Sequence, residues 1–153
     1  MSNEVSRIED QLKRAFEGNA WHGPALKEVL QGVTAPRAAA KPIAGAHSIW
    51  EIVYHVAAWE DVVRRRLAGE PVALTDAEDW PPVRDTGDAA WSSALEGLSR
   101  GHQALRRAVS KLSDAKLKEE VPGMGYSIYH LVHGVIQHDL YHAGQIALLK
   151  KGS

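Results

Sequence analysis

Apolar residues recur along this chain at helical spacing, and the pattern breaks at a few points rich in glycine and proline. The first periodic stretch, about residues 3–17, sets Val5, Ile8, Leu12, Ala15 and Phe16 on one stripe. GNAWHGP interrupts it, because Gly18, Gly23 and Pro24 are poor in a helix interior; ALKEVLQG then continues to Gly32. TAPRAAAKPIAGA reads as a connector, with Pro36, Pro42 and Gly45. The second long helix opens at Ser48, which forms a capping box with Glu51 three residues on, and runs to about Leu67. Residues 70–87 hold Pro71, Pro81, Pro82 and Gly87 and are longer than a tight antiparallel turn needs. Asp88 reads as the N-cap of a third helix carrying Trp91, Ala94, Leu95, Leu98, His102, Leu105, Val109 and Leu112. Ser127 reads as the cap of a fourth, which ends at Lys150-Lys151-Gly152, where basic residues suit the dipole and glycine the C-cap.

No stretch alternates as a strand does. Four amphipathic helices with one long connection predict an all-α protein, a four-helix bundle. The pair SIWEIV (48–53) and SIYHLV (127–132) suggests that two of the helices enter the bundle alike. A length of 153 residues fits a single domain, 1–153. An apolar fraction of 44% and a charged fraction of 24% are ordinary for a soluble globular chain. A formal charge of −1 supplies no global basic field for nucleic acid or an anionic membrane. The polar opening MSNEVSRIEDQ has no apolar secretory core, and no apolar run approaches a membrane span. The lack of cysteine excludes disulfides, thiolate zinc sites and a cysteine nucleophile, and it fits a cytoplasmic setting.

Eight histidines stand out, two of them four apart in HDLYHAGQ. With His138 set at zero on the fourth helix, His142 lies about 40° away, Leu131 and Leu149 near 20° and Val135 near 60°. The apolar stripe is therefore expected to centre on both rings, with His130 and His133 marginal or exposed. On the second helix Trp59 lies near 40° and Ile52 near 60° from His55, which points inward too. Each buried imidazole brings two polar nitrogens, and one left unsatisfied costs about 1–3 kcal/mol. A metal takes one nitrogen from each ring while the other donates to a nearby acceptor. His55, His138 and His142 are thus the candidate metal ligands. The i, i+4 pair lies on one side of a helix, and the third ligand comes from a facing one. HDLYH differs from the zinc-protease motif H-E-x-x-H only at Asp139, but Asp139 lies about 100° off the histidine axis and is one methylene short. Only eleven residues follow His142 to supply a further ligand.

SIWEIVYHVAAWE, followed some eighty residues later by HDLYHAGQIALLKK, resembles the DinB/YfiT-like superfamily over nearly the whole chain. The specific part is the triad His55, His138 and His142 with the following Ala-Gly-Gln. The resemblance implies a four-helix bundle with one long crossing connection, often a homodimer, that holds a divalent metal, zinc or nickel, on three histidines. It also implies metal-dependent transferases and isomerases that use low-molecular-weight thiols such as bacillithiol or mycothiol. Three neutral nitrogen ligands leave the ion its charge and an open position, as in catalytic zinc sites. Water bound there has its pKa lowered towards neutrality, and a thiol is deprotonated outright.

Several further residues are candidates. His22 sits at the first break, where it either faces the metal cavity or makes a local hydrogen bond. Glu51, one turn before His55, is a candidate general base, although capping already explains it. His22 and Glu51 are the two catalytic candidates. Gln145, three residues after His142, can orient a ligand ring or bound water, or equally make an interhelical hydrogen bond; His102, on the third helix's stripe, can face substrate or pack in the core. Arg66 falls on the His55 side and can meet an anionic substrate. The tryptophans read mostly as core and cavity wall. Two functions follow: a cytoplasmic metal-dependent enzyme acting on a small molecule, either a thiol-dependent S-transferase or a hydrolase, or a non-catalytic metal- or ligand-binding stress-response module. A proton-handling group beside the metal separates them.

Overall fold

The computed structural model describes residues 3–152; residues 1, 2 and 153 lie outside it. Four long helices dominate: α1 (Glu4–Glu17), α4 (Ile49–Leu67), α6 (Asp88–Ser110) and α7 (Ile128–Gly152). Between them lie the short helices α2 (Leu26–Val29), α3 (Ala35–Ala39) and α5 (Asp76–Asp79), and a 3-10 turn at Lys116–Lys118. The only extended pairings among the described residues are two isolated bridges, Ala20 with Gly23 and Glu120 with Ser127. The all-α expectation holds. No described helix is long and apolar enough to cross a membrane.

The helix starts follow local chemistry. Asn3 Oδ1 accepts from the Ser6 amide at 2.9 Å and opens α1. The Ser48 hydroxyl accepts from the Glu51 amide at 3.1 Å while Glu51 Oε2 accepts from the Ser48 amide at 2.7 Å, completing the expected capping box. Ser127 Oγ accepts from the His130 amide at 3.1 Å, so the two similar hexapeptides do begin their helices with the same device. Two details depart from the sequence reading. The N-cap of α6 is Gly87, and Asp88 is the first helical residue, where its carboxylate still suits the dipole. The connector at 34–46 contains α3, because Thr34 caps it and Pro36 sits in its first turn.

α4 packs against α6 and α7, and α1 packs against the same two helices, which closes the bundle. Its apolar interior divides into two clusters. One gathers Trp50, Val53, Val56, Trp91, Leu98, Ala143 and Ile146, among others; the second gathers Ile8, Leu12, Val63, Leu105, Val109, Val132 and Val135. On each of α4, α6 and α7 the crossing from one cluster to the other is marked by a polar side chain: His55 and Glu60, His102, and His138, Asp139 and His142. A polar layer therefore cuts across the middle of the bundle.

The same assignment fixes direction. α4 and α6 both run from the first cluster to the second, whereas α1 and α7 run the opposite way. Parallel neighbours cannot be joined by a tight turn, so the segment between Leu67 and Asp88 must travel back along a helix of about 28 Å. That is the long crossing connection, and it carries α5 past the polar layer. Removing the α4 cap through Ser48→Ala is expected to cost about 1 kcal/mol, read as a lower urea midpoint with an unchanged slope.

Candidate metal centre

α4 contributes His55 and α7 contributes His138 and His142. His138 Nε2 lies 3.1 Å from His55 Nε2 and 3.2 Å from His142 Nε2, so three ring nitrogens converge on one point. The outer nitrogens decide the tautomers. His55 Nδ1 lies 2.7 Å from the Asp79 carbonyl oxygen and 3.1 Å from Asp79 Oδ1, both acceptors, so Nδ1 carries the hydrogen. His142 Nδ1 donates to Gln145 Oε1 at 2.7 Å. Both rings consequently turn lone pairs on Nε2 towards the common point. Burial lowers His138 to about 3, helped by the adjacent His142 and His55. His55 and His142 are also lowered, burial being the largest cause, with Asp79 and Gln145 opposing it. Neutral rings with converging lone pairs are what a divalent ion requires, and this group of residues could hold one.

The crossing connection supplies parts of the site that the sequence reading missed. Trp80 stacks on His55 (centroids 3.8 Å apart, planes 6° apart), stacks on His47 at 3.5 Å, and meets His142 edge-on at 6.2 Å. Asp79 Oδ1 accepts from Trp59 Nε1 at 2.6 Å, so α4 holds the same residue that orients its histidine. The signal was present: Thr75 and Glu78 form the capping-box pattern used for Ser48 and Glu51, and Asp79-Trp80 ends the helix they start.

Two cavities flank the triad. One, of about 230 Å³, is bordered by His138, Trp59, Val63, Arg66 and Tyr126. The other, of about 470 Å³, is bordered by His142, His47, Trp80, Tyr141 and Gln145. Arg66 is 6% exposed; its Nε and one terminal nitrogen donate to the Val72 carbonyl and the other to the Tyr126 hydroxyl at 2.9 Å. Among the described residues no carboxylate pairs with this guanidinium, which lies 5.6 Å from the Trp59 ring centre.

The remaining sequence candidates go elsewhere. His22 is exposed on the turn after α1 and borders neither cavity. Its neighbour Trp21 is 102% exposed, an exception to the reading of the tryptophans as core and wall. Glu51 is taken up by its cap and by Lys41 Nζ at 3.2 Å. Burial raises its pKa, but the Ser48 amide and Lys41 outweigh that, and the net shift is downward. His102 joins Glu60 rather than the triad, with Nδ1 3.1 Å from Glu60 Oε1 and its ring stacked on Phe16 at 3.8 Å. The expected centring of the α7 stripe on both histidines also needs correction. Asp139 is fully buried while His138 is only half-buried. Asp139 lies about 20° from Val132 and Ile146, so its place inside the core was readable from periodicity.

Burial pushes Glu60 up to about 8 and lifts Asp139 well above the carboxylate range, with Glu60 adding to the effect on Asp139. The two carboxyls face each other as acceptors, a contact that becomes a hydrogen bond only when one of them holds a proton. In the unfolded chain Glu60 titrates near 4.5. Between that value and about 8 the folded metal-free protein binds the extra proton, so raising pH removes stability. Metal-free Glu60→Gln should therefore gain on wild type as pH rises from about 5 to 8, measured by urea denaturation at each pH; a margin that does not change would contradict the assignment.

Comparison with curated proteins finds no match, and comparison with solved structures finds none either. The family model of the DinB superfamily matches residues 20–146, a span that includes all three histidines, α4, α6 and most of α7. The chain therefore belongs to the DinB superfamily.

Proposed function

We propose that this protein binds a divalent metal, zinc or nickel, through His55, His138 and His142, and uses it as an enzyme acting on a small molecule. The observation that carries the reading is the convergence of three neutral Nε2 atoms, two of them with their lone pairs fixed inward by Asp79 and Gln145. Such an ion, when bound, supplies the positive charge that lowers the pKa of a coordinated thiol or water. The chain's own residues orient and enclose. Asp79 and Gln145 hold two rings, Trp80 covers His55, and Trp59 fixes Asp79. Arg66, buried at the wall of the His138 cavity without a carboxylate partner, suits an anionic group on the substrate.

Between the two chemistries, thiol transfer fits better than hydrolysis. Hydrolysis gains from a protein base beside the metal, and Glu51, His22 and His102 do not border the triad. His47, in the same cavity as His142, is the remaining candidate to move a proton. A thiol deprotonated by the ion needs no such base. That Glu51, His22 and His102 stand away from the triad also favours the second reading, a metal- or ligand-binding module without turnover. A homodimer and a cytoplasmic site of action belong to the proposal as well, and light scattering tests the first of these.

Untagged protein should lose about one equivalent of bound zinc or nickel on His142→Ala, measured by plasma mass spectrometry; equal metal content would sink the metal reading. Zinc-loaded wild type should consume bacillithiol, mycothiol or glutathione in the presence of electrophilic acceptors, while His55→Ala should not. Thiol consumption equal in the two proteins would leave the binding module as the function.

A further inference from the structure

The polar layer holds a second group of side chains that the triad does not use. Glu60 on α4, His102 on α6 and Asp139 on α7 are 0%, 1% and 0% exposed, and one donor atom from each lies within 4.8 Å of the others. Of their side-chain nitrogens and oxygens, His102 Nδ1 and Glu60 Oε1 bond only to each other. Apart from the contact between the two carboxyls, Glu60 Oε2, His102 Nε2 and both Asp139 oxygens have no hydrogen-bond partner among the described residues. Nor is there a cation to balance the acids. Among the described residues no lysine or arginine pairs with Glu60 or Asp139, and Arg106, whose charge reaches His102, is itself paired with Glu9 and Glu17.

Two carboxylates and an imidazole removed from water need compensation, from protons or from a cation. Two protons neutralise the acids, but each bridges a single pair of atoms. One dication neutralises both acids and takes a donor from all three helices at once. Donors around an ion at about 2.1 Å lie roughly 3–4 Å apart, so about an ångström of side-chain motion closes the set. We infer that Glu60, His102 and Asp139 form a second divalent-metal site, closed and structural, that ties α4, α6 and α7 together beneath the triad. Its two oxygen donors make it harder than a site of three nitrogens, which favours manganese, iron(II) or zinc over nickel. Its burial leaves no approach for a substrate. The inference does not rest on the metal reading of the triad.

Full-length untagged wild type, His142→Ala, Glu60→Gln and the double variant, grown with manganese and zinc and then desalted, are compared by plasma mass spectrometry. The expected contents are about two, one, one and no equivalents per chain. The ion retained by His142→Ala should also resist dialysis against a chelator, since its site is fully buried. A wild type that holds no more metal than Glu60→Gln, or a His142→Ala variant that holds none, overturns the second site and leaves protons on the two acids. Wild type and His142→Ala with equal content would instead count against the triad, so the two failures are distinguishable. Because a core substitution can unfold the chain, Asp139→Asn is run alongside and helicity is checked by circular dichroism. Loss of the resistant ion from a folded Asp139→Asn supports the site; its retention overturns it.

Discussion

Burying imidazoles and carboxylates in the middle of a helical bundle is unfavourable unless each polar atom finds a partner, and this constraint organises the molecule. Two apolar clusters close the ends of the bundle, and between them lies a layer containing His55, Glu60, His102, His138, Asp139 and His142. The apolar ends hold the helices together by burial, and that burial keeps water from the layer. The histidines stay neutral at ordinary pH for the same reason, so the packing that stabilises the fold also sets the chemistry available within it.

The layer has two sides with different character. Towards the crossing connection the three histidines meet cavities and a wall of aromatic rings. Towards α6 and α1 the acids and His102 are fully buried, and Phe16 stacks on the His102 ring. α4 and α7 each serve both sides, because Asp139 follows His138 by one residue and Glu60 follows His55 by five, rotations of about 100° and 140°. Two adjacent positions on one helix can thus belong to groups of different chemistry and accessibility.

The crossing connection links topology to chemistry. Because α4 and α6 run parallel, the chain must return along the bundle, and the return path brings Asp79 and Trp80 against His55. A bundle of alternating up-and-down helices would need only a short turn at this point and would leave the outer nitrogen of His55 to water or to another partner.

Much of this could be read from residue order alone. The 3.6-residue periodicity defined α1, α4, α6 and α7, and the Ser48–Glu51 pair marked a helix start to the residue. Helical phase put His55 on an inward face; it would also have put Glu60 within about 20° of Val53 and about 40° of Val56, both core residues. These are local properties, set by rotation per residue and by hydrogen bonds a few positions long. Tertiary structure decided the rest: that Asp79, Trp80 and His47 gather around His55, that His102 pairs with Glu60 rather than with the triad, and that Arg66 lines the His138 cavity. The physical reason is that phase fixes the direction of a side chain about its own helix axis. Which other element stands opposite depends on how parallel and antiparallel helices pack, and on the path of the chain between them.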